Sequence, residues 1–193
     1  MEHLDRLADL AARDHVAFTR PAGRPEYRQR RVLAVLAQGA ACHYFDCLAG
    51  HDPRSRRGVK DLDVWMFYAA ILGTGFPAAR RETHADFGPS SLGRQSYDLA
   101  GARTAREQAL WRRWAAYRGR RVDFLMRALP VQPDAPYAEI IQAVQDWLRR
   151  GAAASSPKKP SAWYLAQKAM VTLSPATERG QILWPADVAV GSH

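Results

Sequence analysis

Three aspartates in this chain are spaced so that they could act together: Asp61 and Asp63, separated by one leucine, and Asp123 further downstream. Carboxylates gathered at one point repel each other unless a positive charge holds them. Their oxygens suit Mg²⁺ or Mn²⁺, hard ions that also bind the oxygens of a triphosphate. An Asp-x-Asp pair alone carries little weight: with thirteen aspartates in 193 residues, roughly one such pair is expected by chance. Its meaning depends on the elements that hold it.

Residues 61–68 (DLDVWMFY) alternate and are rich in β-branched and aromatic types, which predicts a strand. Side chains on a strand alternate, so Asp61 and Asp63 share one face while Leu62, Val64 and Met66 turn to the core. Residues 121–126 (RVDFLM) predict a second strand, with Val122, Phe124 and Met126 as the apolar alternates of Asp123. If the two strands are neighbours, three carboxylates converge on one edge of a sheet. In a two-metal arrangement, one ion would activate an attacking hydroxyl and the other would clamp the triphosphate and leaving group. The competing reading is that these aspartates cap strands or pair with nearby arginines.

The surrounding elements follow from the same patterns. Leu4, Leu7, Ala8 and Ala11 fall on one face of a first helix, and residues 19–30, with two prolines and a glycine, form a surface connection. Residues 32–36 are a short apolar run that predicts a buried strand ending at Gln38-Gly39. Ala41, Tyr44, Phe45 and Leu48 then repeat with the spacing of a helix with one buried face. Residues 49–60 are a polar loop, and residues 73–103 are irregular. Thr104 and Glu107 fit a capping box for a helix running through Trp111 and Trp114. Ile140, Ile141, Val144, Trp147 and Leu148 predict an amphipathic helix, with Gly151 as its stop. Residues 151–160 read as a linker or exposed loop. A final helix from near Ser161 carries Lys168, and strands follow around Val171 and Ile182. The order is α/β (α+β): a mixed β-sheet flanked by helices, with no internal repeat. Residues 1–150 form the core, and residues 151–193 form a C-terminal helix/strand extension packing on it.

The order of apolar strand, glycine, small residue, helix, Asp-x-Asp strand and later Asp-bearing strand resembles the DNA polymerase β-like nucleotidyltransferase superfamily. The matching residues are Gly39-Ala40-Ala41, KDLDVW (60–65) and RRVDFL (120–125), so the resemblance covers roughly residues 31–127. It implies that Asp61 and Asp63 bind the metals, and that Asp123 completes the site and helps deprotonate the attacking hydroxyl. Among small bacterial members, the abortive-infection toxin branch is the nearest in pattern. There, a lysine in a leucine-alanine-x-lysine setting meets the triphosphate, and LAQKAM (165–170) is similar. The nucleotide-binding positions implied are Gly39, Ala40, Lys60 and Lys168. Ala40 stands where the family usually has Gly or Ser. The activity implied is transfer of a nucleotidyl group from a nucleoside triphosphate, with Mg²⁺ or Mn²⁺, to RNA, protein or a small molecule. The alternative is an inactive member serving as a binding or antitoxin-like module.

Composition bounds the rest. The hydrophobic fraction of 47% and aromatic fraction of 10% predict a folded globular chain. No apolar run approaches the ~20 residues of a membrane span, which predicts no membrane association. Glu2, Asp5 and Arg6 open the chain without an apolar signal region, which predicts a cytoplasmic protein. The net charge of +9, carried mostly by arginines, attracts phosphate and is compatible with tRNA or another nucleic acid. Oligomeric state is not encoded in any pattern here.

Other motifs fall away on inspection. Asp86-Phe87-Gly88 matches a kinase triplet but lacks that family's other motifs. Cys42, His43, Cys47 and His51 do not have zinc-site spacing. His84 reads as structural. Arg80, Arg81 and Arg94 lie in a basic loop that could face a phosphate. Arg118, Arg120 and Arg121, near Trp111, Trp114 and Tyr117, have the basic and aromatic character of single-strand RNA contacts.

Overall fold

A computed structural model describes residues 2–48, 61–77, 79–85, 87, 105, 120–153 and 169–184. Two uninterrupted apolar stretches, 32–37 and 64–69, have the pattern of strands covered on both faces. They form β1 (Arg31–Ala37) and β2 (Leu62–Ala69), which pair antiparallel at the centre of a six-stranded sheet. The sheet is completed by β3 (Arg80–Ala85), β4 (Arg120–Leu129), β5 (Met170–Ser174) and β6 (Ile182–Trp184). Its order is β3-β4-β2-β1-β5-β6; β2 and β4 run parallel and every other pair is antiparallel. The mixed α/β architecture expected from the chain is therefore present.

Both faces of the sheet carry helices. On one side, α1 (Glu2–Phe18) buries Leu4, Leu7, Ala8 and Ala11, together with Ala40 and Ala41 of α2 (Gln38–Leu48). Their partners are Val64, Met66, Val122, Phe124 and Met126. On the other side, α3 (Tyr137–Ala153) presents Ile140, Val144 and Leu148 to Val35, Trp65, Phe67 and Leu129. Trp147 meets Trp65 edge-on at 5.2 Å between ring centroids. The Tyr137 hydroxyl lies 2.8 Å from Thr172 Oγ1, tying α3 to β5. Arg179 donates to Asp5 Oδ1 at 2.6 Å, linking the turn after β5 to α1.

Several expectations are corrected. Residues 80–85 fall within the stretch read as irregular, yet they form β3. As an edge strand with one neighbour, it tolerates the charged sequence RRETHA, which lacks the apolar signature of an inner strand. The core lies on both faces of β2: Val64 and Met66 are buried on one, and on the other, after Asp63, Trp65 and Phe67 are buried beneath α3. Leu48 is 60% exposed rather than part of the buried face of α2. The helix at 137–153 also runs through Gly151, because one glycine costs a helix only ~1 kcal/mol. The predicted loop at 49–60 and the helices expected near 107–114 and 161–168 lie outside the described residues.

Candidate functional site

Parallel pairing sets Asp63 directly beside Asp123, with Leu62 opposite Val122 and Val64 opposite Phe124. Because cross-strand partners project to the same side, the two carboxylates rise together on the face that α3 covers further along. The register extends both ways: Glu82 of β3 lies opposite Asp123, and Ala37 at the end of β1 lies opposite Asp63. A carboxylate row therefore crosses three neighbouring strands, with Asp61 one strand repeat away from Asp63 and on the same side.

Two guanidinium groups neutralise much of this charge. Arg121 donates from Nη2 to Asp61 Oδ2 at 2.6 Å and lies 3.0 Å from Asp123 Oδ2. Arg80, from the edge strand, donates to the same Asp123 oxygen at 2.8 Å. Asp123 has a side chain only 1% exposed, whereas Arg80 is 57% exposed. The hydrogen bond from Arg80 to Asp123, followed by the carboxylate's charge, holds that guanidinium protonated above its usual range. Asp123 Oδ1 is buried and accepts no hydrogen bond within the described structure.

Asp63 stands apart. Burial, then the charges of Asp61 and Asp123, push its carboxyl up to about 6, with Arg80 and Arg121 opposing the shift. A folded-state value above the ordinary 3.8 means that the fold binds this proton more tightly than the unfolded chain does. This group therefore costs nothing below about pH 4, and the fold loses stability between about pH 4 and 6. Above that the penalty is constant, about 1–2 kcal/mol once solvent screening of a half-buried group is allowed for. Carboxyl-carbon NMR of the metal-free protein should show Asp63 titrating near pH 6; a midpoint near 4 would exclude this environment.

Asp63 and Asp123 stand in register, one Arg121 nitrogen bridges Asp61 and Asp123, and carboxylate oxygens are the donor type that a divalent cation takes. Asp63 is left under-neutralised, and Asp123 keeps a buried oxygen in need of a partner. Among the described residues, however, no group of three or more His, Cys, Asp or Glu stands in a metal-ligating arrangement. Asp61 and Asp123 instead close on Arg121, where a guanidinium takes the position of the positive charge that the cluster requires.

The β1–α2 junction lies at the same end of the sheet. Gln38 turns there with φ 60°, a left-handed conformation uncommon outside glycine, and its amide donates to the Ala169 carbonyl at 2.8 Å. At Gly39, a Cβ would meet nothing within 4 Å, so internal packing does not demand glycine. Ala40 is 5% exposed and packs in the core, which leaves its backbone as the part that could meet a ligand. Lys60 and Lys168 lie outside the described residues, as do Asp86, Arg94, His51, Arg118 and the aromatics at 111, 114 and 117. Arg81, expected in a solvated basic loop that could also face a phosphate, points to the opposite side of the sheet and pairs with Asp14 at 2.7 Å.

Glu82 is absent from the site read from the sequence, where Arg80 and Arg121 are candidates for a phosphate or nucleic-acid contact and not partners of the aspartates. Residues 80–84 (RRETH) are polar at every position, so no apolar–polar alternation signals the strand that places Glu82 and Arg80 there. No known family model matches the chain, and neither the curated proteins nor the solved structures contain a match. No helix among the described residues is long and apolar enough to cross a membrane.

Proposed function

We propose that this is a cytoplasmic, Mg²⁺- or Mn²⁺-dependent nucleotidyltransferase that takes a nucleoside triphosphate and modifies a hydroxyl-bearing acceptor. The observation that carries the reading is the register of Asp63 against Asp123 on one face of adjacent parallel strands, with Asp61 beside them. Asp61, Asp63 and Asp123 would hold the cation, which when bound would polarise the phosphates and acidify the acceptor hydroxyl. Asp123, sunk between two guanidinium groups, orients the cluster. Gly39, at the start of α2, offers backbone N–H groups to phosphate, and its open surroundings leave room for close approach. Lys60 and Lys168 would add charge to the triphosphate. The arginine-rich surface favours RNA, tRNA included, as acceptor.

Closure of Asp61 and Asp123 on Arg121, together with Ala40 in place of a phosphate-gripping Gly or Ser, favours a second reading: a binding or antitoxin-like module that kept the fold without turnover. Calorimetry with each nucleoside triphosphate, with and without Mg²⁺, separates the two. The enzyme reading expects Mg²⁺-dependent binding that Asp63→Asn abolishes, followed by transfer in an acceptor screen. Binding without Mg²⁺, or indifferent to Asp63→Asn, would sink it.

A further inference from the structure

Arg121 lies two residues before Asp123 on β4, so both side chains rise from the same face. One of its nitrogens reaches both Asp61, at 2.6 Å, and Asp123, at 3.0 Å. These are two of the three carboxylates to which the metal reading assigns a cation. Asp123 meanwhile keeps a buried oxygen, Oδ1, without a hydrogen-bond partner. The cluster is thus half neutralised, and the neutralising group sits between the oxygens that a metal would need.

We propose that Arg121 is an internal competitor for the divalent cation: its guanidinium holds Asp61 and Asp123 in the metal-free chain, and a cation binds only by displacing it. This inference rests on the metal-dependent reading above. A cation placed between Asp61 Oδ2 and Asp123 Oδ2 would stand within a few ångströms of the guanidinium already seated there, and the two positive charges would repel each other. Arginine stays protonated at any working pH, so it cannot leave by losing its charge and must find another anion. A triphosphate arriving with the metal supplies one, and a guanidinium fork matches phosphate oxygens bidentately. Metal alone therefore meets an occupied site, whereas metal with triphosphate offers Arg121 a new partner. Each ligand then favours the other, as linkage requires. With this device, a site empty of nucleotide does not hold a cation idly among its carboxylates.

The test is titration of the full chain with Mn²⁺ alone, followed by loss of the free-ion paramagnetic resonance signal. Wild type, Arg121→Gln, Arg121→Lys and the remote control Arg149→Gln are compared. Arg121→Gln should bind Mn²⁺ about tenfold more tightly than wild type, the release of roughly one charge-assisted hydrogen bond. Arg121→Lys, which keeps the charge but cannot span both carboxylates, should fall between them, and Arg149→Gln should match wild type. If Arg121→Gln binds no more tightly than wild type, or if Arg149→Gln tightens binding equally, the competitor is overturned and the metal site stands. If no protein binds Mn²⁺, the metal reading itself falls and takes the competitor with it. Should Arg121→Gln unfold without metal, its melting temperature with Mn²⁺ decides: a larger rise than in wild type supports displacement, and an equal or smaller rise overturns it. Should it not fold in either condition, Arg121→Lys decides, with tighter binding in support and equal or weaker binding against.

Discussion

Asp63→Asn is expected to melt about 3–6 °C higher than the parent at pH 8 without metal, while losing nucleotidyl transfer by at least about a hundredfold. The two effects share one cause. Above pH 6 the fold carries an ionised carboxylate at position 63, disfavoured by burial and by two like charges. Asparagine has nearly the same shape and no charge, so the variant regains the penalty of about 1–2 kcal/mol, which for a chain of this size is a few degrees. The gain should fade below pH 4, where Asp63 is protonated in both states. On the proposed function, loss of Asp63 as a carboxylate ligand would remove charge stabilisation on the order of several kcal/mol at the reacting phosphate. Such opposed effects are the mark of a residue held in an unfavourable place for function. Thermal melts at pH 4 and pH 8 check the stability half. A variant less stable than the parent at pH 8 would show that Asp63 has a favourable partner in the fold.

The second large effect runs the other way. Asp123→Ala should cost about 3 kcal/mol of stability, a fall in melting temperature of roughly 6–12 °C. Asp123 is almost fully buried and is the shared acceptor of Arg80 and Arg121, so its removal strips both guanidinium groups of a partner inside the site. Asp123→Asn keeps an acceptor oxygen and should cost less. Both changes should also abolish metal binding. Changes at Asp63 and Asp123 would thus lose metal binding alike while moving stability in opposite directions. The opposite signs follow from the arginine pairing, and the shared loss of metal binding is the part that pairing alone does not produce. Denaturant melts of Asp63→Asn, Asp123→Ala and Asp123→Asn, read side by side, check this directly.

Why some of this was legible in the sequence and some was not has a physical reason in each case. The inner strands announce themselves because burial on both faces demands continuous apolar runs, as in 64–69. The helix at 137–153 is equally plain, since Ile140, Val144 and Leu148 must line one stripe. The pairing of Asp63 with Asp123 was only conditional, because nothing local in either strand specifies that β2 and β4 are neighbours or that they run parallel. Edge strand β3 was missed for the complementary reason: solvent on one side removes the need for apolar residues, so RRETHA reads as a loop. With β3 missed, Glu82 and Arg80 were lost from the site, although Arg80 is now one of two cations on its most buried carboxylate. In the sequence Arg121 belongs to a basic cluster whose role is open. Only the strand register shows that it turns inward to Asp61 and Asp123.

The central claim is that these three carboxylates hold a divalent cation. Crystals grown with Mn²⁺ and a non-hydrolysable nucleoside triphosphate test it most directly, through the anomalous scattering of manganese. The expected result is a peak bounded by Asp61, Asp63 and Asp123, with the triphosphate against the same cation and Arg121 withdrawn from Asp61. A map with manganese elsewhere, or with Arg121 still seated between Asp61 and Asp123 and no metal beside them, would contradict it.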